Sequence, residues 1–152
     1  MRDRRRIVQL MACVAIMVSG AIAFAEAPTE QVKPTAEPGM SKEAAIEVCG
    51  VGGERAYLQK LRCTDDSPPT FERSGSVGPR NDIKTKEDEA LILKQMMSTQ
   101  PLKKGEKDVH TIDNYEVVCR DKKVDVHLDM YHCPEPKSHA VPPGFSLKGQ
   151  KP

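Results

Sequence analysis

Residues 114–133, NYEVVCRDKKVDVHLDMYHC, decide how this chain folds. Val124, Val126, Leu128 and Met130 fall on one side of the second run, and Asp125, His127, Asp129 and Tyr131 on the other. In the first run Tyr115, Val117 and Cys119 alternate with Asn114, Glu116 and Val118. A period of two marks half-buried strands, so Val109–Cys119 and Val124–Cys133 read as a hairpin. Arg120-Asp121-Lys122-Lys123 joins them, a turn without glycine.

The apolar faces must match, because a slip of one residue turns one of them to water. Pairing Cys119 with Val124 achieves this and places Glu116 opposite His127, Asn114 opposite Asp129, and Cys133 opposite His110. Nine residues of strand at ~3.3 Å each put Cys119 and Cys133 ~30 Å apart, and a disulfide needs Cα atoms within about 7 Å. Two connectivities remain for Cys49, Cys63, Cys119 and Cys133: 49–119 with 63–133, or 49–133 with 63–119.

That even cysteine count suits an exported domain, and the N-terminus agrees. Arg2, Arg4, Arg5 and Arg6 precede an apolar run over 7–22, and Ala23-Phe24-Ala25 offers a cleavage site before Glu26. Residues 1–25 read as a bacterial-type signal peptide. An uncleaved anchor, or a lipid on Cys13 after Leu10-Met11-Ala12, are the rival readings, and only they imply membrane attachment. The chain has 23 Lys+Arg and 22 Asp+Glu; losing 1–25, with four arginines and one aspartate, leaves 19 and 21, a net charge of −2. That lacks the basic footprint of a nucleic-acid binder.

Residues 26–40, rich in Pro, Glu, Thr and Ala, read as a flexible leader, and the Pro-rich stretch 134–152 as a flexible tail in which Phe145 and Leu147 are the candidates to dock. The folded domain is then 41–133. Ser41 is a candidate N-cap for a helix over 42–49 with Gly50 at its C-terminal cap; the alternative is a strand turning at Gly52-Gly53. Arg55–Cys63 reads as a strand. Thr70–Gly75 reads as a short strand followed by a loop over 74–80. Thr85–Met97 is the clearest helix, with Thr85 as N-cap, an acidic first turn, and a buried stripe of Ala90, Leu93 and Met97 beside Ile92 and Met96. The expected class is α+β: a small antiparallel sheet with a C-terminal hairpin, one or two packed helices and two disulfides.

Three functional readings follow. The leading one is a small exported, non-enzymatic domain that binds a protein or envelope component, without a cofactor. A second is a periplasmic metal-binding protein that uses the polar hairpin face through Glu116, His127 and Asp129, carboxylates and imidazole being zinc ligands; the ordinary reading of that face is a solvated one. A third centres on RSGSVGPR, residues 73–80, where Arg73, Ser76 and Arg80 could clamp an anion or support hydrolysis; the ordinary reading is a turn. His132 reads as a strand-end histidine with a backbone hydrogen bond. A set drawn from Ser76, His110 and Asp113 has residue types but no geometry. No C-x-x-C occurs, so the redox-enzyme motif is missing.

Overall fold

A computed structural model describes residues 36–98, 101–133 and 139–149. The segment read as a signal peptide, and the leader as far as residue 35, lie outside the described residues. In chain order the elements are β1 (Ile46–Glu47), α1 (Gly50–Lys60), β2 (Leu61–Arg62), β3 (Thr70–Pro79), α2 (Lys86–Met96), β4 (Thr111–Cys119), β5 (Lys122–Asp129) and β6 (Ser146–Leu147). Four strands form one sheet in the order β1-β5-β4-β3, and β2 pairs with β6. The class is α+β, and the main sheet is antiparallel except where β1 runs parallel to β5. No helix among the described residues is long and apolar enough to cross a membrane.

The hairpin forms with the expected faces but two residues tighter, Cys119 pairing with Lys122 and Tyr115 with Val126. Its loop is Arg120-Asp121, with Arg120 in the left-handed region at φ 57°. A non-glycine residue there costs roughly 1–2 kcal/mol; the Arg120 guanidinium pairs with Asp65 at 2.6 Å. A shift of two keeps parity, so Tyr115, Val117, Val126 and Leu128 still enter the core. The disulfides are Cys49–Cys133 and Cys63–Cys119, with Cα separations of 4.8 and 5.8 Å. This is one of the two connectivities the strand-length argument leaves.

The helix expected over 42–49 is instead a bend and a strand. Ile46 and Val48 are buried on either side of half-exposed Glu47, which is strand alternation. Gly50, read as a cap, opens α1. Arg55–Cys63, read as a strand, is helical as far as Lys60. Glu54, Tyr57 and Leu58 form its buried face, the spacing of one helix stripe, and Leu58 and Leu61 are fully buried in the core. The even spacing of Tyr57, Gln59 and Leu61 fits both periods, and packing decides it.

α2 has the expected boundaries and a Thr85–Asp88 capping box. Its buried face differs. Asp88 and Gln95 point inward, whereas Leu93 and Met97 are 65 % and 78 % exposed and Ala90 and Met96 are exposed too. Polar anchors set this orientation: Gln95 donates to Lys107 O and accepts from Val109 N, each at 2.8 Å, while Asp88 accepts from Lys107 Nζ at 2.7 Å. An unmade buried hydrogen bond costs more than an exposed apolar side chain.

Part of the stretch read as a flexible tail is ordered against the core. Leu147 is buried in β6, Lys148 N donates to Lys60 O at 2.7 Å, and the Tyr57 hydroxyl donates to Ala140 O at 2.7 Å. At the other end Gly39, in the leader, is buried with φ +75°, and a Cβ there would stand 3.0 Å from Ile46 Cδ1, so any larger residue is strained there.

Candidate metal centre

At the end of the sheet where β1 meets β5, four short segments converge. Val48 N donates to Asp129 O at 2.8 Å, Gly50 N to Met130 O at 2.7 Å and His132 N to Val48 O at 3.2 Å, tying β1 to the chain leaving β5. Arg80 N donates to His110 O at 2.8 Å, extending the β3–β4 ladder by one bond. These backbone links bring Glu47, Arg80, Asp108, His110, Asp129 and His132 together.

The distances are short. His110 Nδ1 lies 3.0 Å from Asp108 Oδ1 and 3.5 Å from Asp129 Oδ2. His132 Nε2 lies 3.0 Å from Asp129 Oδ2 and 3.3 Å from Asp108 Oδ2, while its Nδ1 is 3.6 Å from Glu47 Oε2. One donor atom from each of Asp108, His110, Asp129 and His132 lies within 4.8 Å of all the others. Arg80 supplies a fixed cation beside them, with Nε 3.3 Å from Asp129 and 3.5 Å from Asp108, a bond to Ala45 O, and a contact to Glu47 at 3.4 Å. Asp129 is fully buried and His110 is 3 % exposed. Neither His110 Nδ1 nor Arg80 Nε makes a well-aligned hydrogen bond, despite the nearby carboxylates. The His110 ring stacks on Tyr131, with centroids 5.0 Å apart, and meets His132 edge-on.

Burial opposes the imidazolium form, but the Asp108 and Asp129 carboxylates outweigh it and raise both His110 and His132 to about 9. Burial likewise opposes the ionised carboxylates, and the two histidines hold Asp108 and Asp129 below their ordinary range. The cluster borders a cavity of about 270 Å³ that Leu102 and Cys133 also line.

Of the three ligands expected on the hairpin face, only Asp129 belongs here. Glu116 stands opposite Asp125 and pairs with Lys123 at 2.9 Å. His127 stands opposite Asn114, with Nδ1 3.1 Å from Gly39 O. Asp129 is parted from them because the sheet's outer face, open to water at Asp125, is covered at its far end. The residues that complete the cluster come from Asp108-Val109-His110 and from His132, just beyond Asp129. An acid within three residues of a histidine, twice, was the available signal; it also occurs at Asp125-Val126-His127, which does not join them.

The 73–80 segment is not a loop but most of β3, with bulges between Arg73 and Gly75 and between Ser76 and Gly78. Glycines at bulges free the strand to re-aim its side chains. Arg73 and Ser76 are brought together, but on Asp113. The guanidinium donates two bonds to its carboxylate, at 2.8 and 2.7 Å, and Ser76 Oγ a third at 2.8 Å. Arg80 does not join them; its contacts are with Ala45, Glu47, Asp108 and Asp129.

Compared with protein-family models, curated proteins and solved structures, the chain shows no significant match.

Proposed function

We propose that this protein is a small exported domain that binds one divalent transition-metal ion, zinc by preference, through Asp108, His110, Asp129 and His132. The observation that carries this reading is the convergence of four donors within 4.8 Å of one another. Tetrahedral zinc with bonds of ~2.0–2.1 Å separates its ligands by ~3.3 Å; Asp129 Oδ2 lies 3.0 and 3.5 Å from the two histidine donors and Asp108 Oδ2 3.3 Å from His132 Nε2, within a set that spans 4.8 Å and would tighten around an ion. Two imidazoles disfavour calcium and magnesium, which take oxygen, and the lack of a thiolate or thioether disfavours copper(I).

Charge supports the same occupant. Arg80 and three carboxylates leave a deficit of two positive charges, which one dication fills once the imidazoles are neutral ligands. Arg80 then acts from outside the coordination sphere, fixing the carboxylates by charge-assisted contacts. Four protein donors leave no open position, which favours metal holding over catalysis. Export is supported by the signal-like segment 1–25 and by two disulfides, which persist in oxidising compartments.

A second reading rests on Arg80 itself. With both imidazoles protonated, three cations face three carboxylates, and the cluster is a neutral latch between β1 and β5. Native mass spectrometry and calorimetry of the full chain, stripped with a chelator and titrated with zinc, separate the two. Metal binding requires one zinc per chain, and His132→Gln and Asp129→Asn should each weaken it at least a hundredfold. A wild-type chain that takes up no zinc leaves the latch reading and retires the metal one.

A further inference from the structure

We propose that the Cys49–Cys133 disulfide controls occupancy of the metal site, so that its reduction releases the metal; this rests on the metal-binding reading above. Two cluster residues are sequence neighbours of this bond. Glu47 lies two residues before Cys49, and His132 lies one before Cys133. The Cα atoms of the two cysteines are 4.8 Å apart. His132 is beyond the end of β5, and its segment is otherwise held to β1 by three backbone hydrogen bonds of 2.7–3.2 Å. The disulfide is the covalent cross-link that joins the His132 segment to the strand end carrying Glu47. Cys133 lines the same cavity as Asp108, His110 and His132, and both cysteines are partly exposed, so a reductant can reach the bond from the open side.

Reduction needs an external thiol reductant, either a dithiol or two monothiols. One reductant sulfur attacks the bond and forms a mixed disulfide. The second reductant thiol then displaces it; Cys49 and Cys133 leave as thiols carrying two electrons and two protons, and the reductant leaves as a disulfide. The segment carrying His132 is then held by those hydrogen bonds without the cross-link, and a site pre-organised for four ligands loses rigidity at one of them. Metal affinity follows, because a ligand that must first be ordered binds at a cost in entropy.

The second disulfide is a matched control. Cys119 lies at the opposite end of β4 from His110, nine residues or ~30 Å away. Zinc affinity of the full chain, measured against a chromophoric chelator, is expected to fall at least tenfold in Cys49→Ala/Cys133→Ala. It should stay within about threefold of wild type in Cys63→Ala/Cys119→Ala. Coupling is reciprocal, so wild-type protein gives an independent measurement even if the double variant fails to fold. In a glutathione couple with free zinc held by a metal buffer, zinc should shift the Cys49–Cys133 midpoint by at least ~30 mV toward more reducing potentials, the equivalent of tenfold. The Cys63–Cys119 midpoint should not move. Zinc binding that is equal in both double variants, or a Cys49–Cys133 midpoint that zinc leaves unchanged or moves the other way, overturns the inference while leaving the metal site standing. Failure of wild-type protein to bind zinc overturns both.

Discussion

The hydroxyl of Tyr115, on β4, donates a 3.0 Å hydrogen bond to Glu54 Oε2, on α1, inside the core. Glu54 is 1 % exposed and its other oxygen, Oε1, has no partner. Burial raises the carboxyl to about 7, more than the Tyr115 bond lowers it. A carboxyl raised in the fold stabilises it most fully when protonated in both states, below about 4.5, and that contribution is lost as pH rises through about 7. We therefore expect the melting temperature to fall between pH 5 and pH 8, with ~2 kcal/mol attributable to Glu54. Glu54→Gln, which keeps the shape without the charge, should gain on wild type by ~10 °C between those pH values. His110 and His132, at about 9 in the fold, also lose their contribution as pH rises, but equally in both proteins. An offset between the two melting curves that is the same at pH 5 and pH 8 refutes this account.

Arg80 gives a second expectation. Its guanidinium is 11 % exposed and faces Glu47, Asp108 and Asp129, which are themselves 18 %, 14 % and 0 % exposed. Removing one member of a buried ion network strands its partners, at a cost of about 3–5 kcal/mol. Arg80→Met should lower metal-free stability by that amount in urea unfolding. Arg73→Met, which removes a half-exposed arginine from Asp113, should cost less. Equal losses would mean that Arg80 is no more central than a surface pair.

How much of this is legible in the sequence depends on parity. The hairpin faces survive an error of two residues in register because side chains repeat every two, so Val117, Val126 and Leu128 reach the core under either pairing. The excluded Cys119–Cys133 bond rests on strand length and survives for the same reason. Thr85 and Asp88 mark the start of α2 through local chemistry. The inward face of that helix is not local, since Gln95 finds Lys107 and Val109 only after the chain returns. The His–Asp cluster is harder still. Asp125 and Asp129 occupy equivalent positions on one strand face, and what separates them is the cover brought by residues 80 and 108–110, distant in sequence.

Metal should also be visible as stability. A ligand that binds only the folded state at a hundred times its dissociation constant adds about 2.7 kcal/mol, or ~10–20 °C for a domain of this size. Excess zinc is expected to raise the melting temperature of wild type by that amount and to leave His132→Gln within ~2 °C of its metal-free value. Calcium should move neither, because two of the four donors are imidazoles. A zinc-induced rise that persists in His132→Gln places the metal elsewhere on the chain.

The remaining disulfide predicts a plain loss of stability. Cys63–Cys119 spans 56 residues, a long closed loop, and such a bridge contributes about 2–4 kcal/mol, mainly by restricting the unfolded chain. Cys63→Ala/Cys119→Ala should melt ~10–20 °C below wild type with its circular dichroism spectrum intact. A melting temperature unchanged after proof that the bond exists in wild type would mean that the unfolded chain is already compact.

The last expectation concerns residues 139–149, where composition and structure point in opposite directions. Proline density argues for a free tail, yet Leu147 is 7 % exposed, Phe145 packs against the core, and Ala140 O accepts a hydrogen bond from the Tyr57 hydroxyl. Burying a leucine contributes roughly 1.5–3 kcal/mol, and truncating it in a packed site costs about 2–5 kcal/mol because a cavity remains. β6 also caps β2, a strand of two residues that has β6 as its partner in its sheet. Leu147→Ala should therefore lower stability by at least ~2 kcal/mol, and deletion of 139–152 by more, with the loss reaching Leu58 and Leu61 as faster amide hydrogen exchange. Lys148→Ala, whose side chain is exposed and whose backbone bond to Lys60 is kept, should change stability by less than ~0.5 kcal/mol. If the deletion melts with wild type, the segment is a tail after all and the α1–β2 corner closes without it.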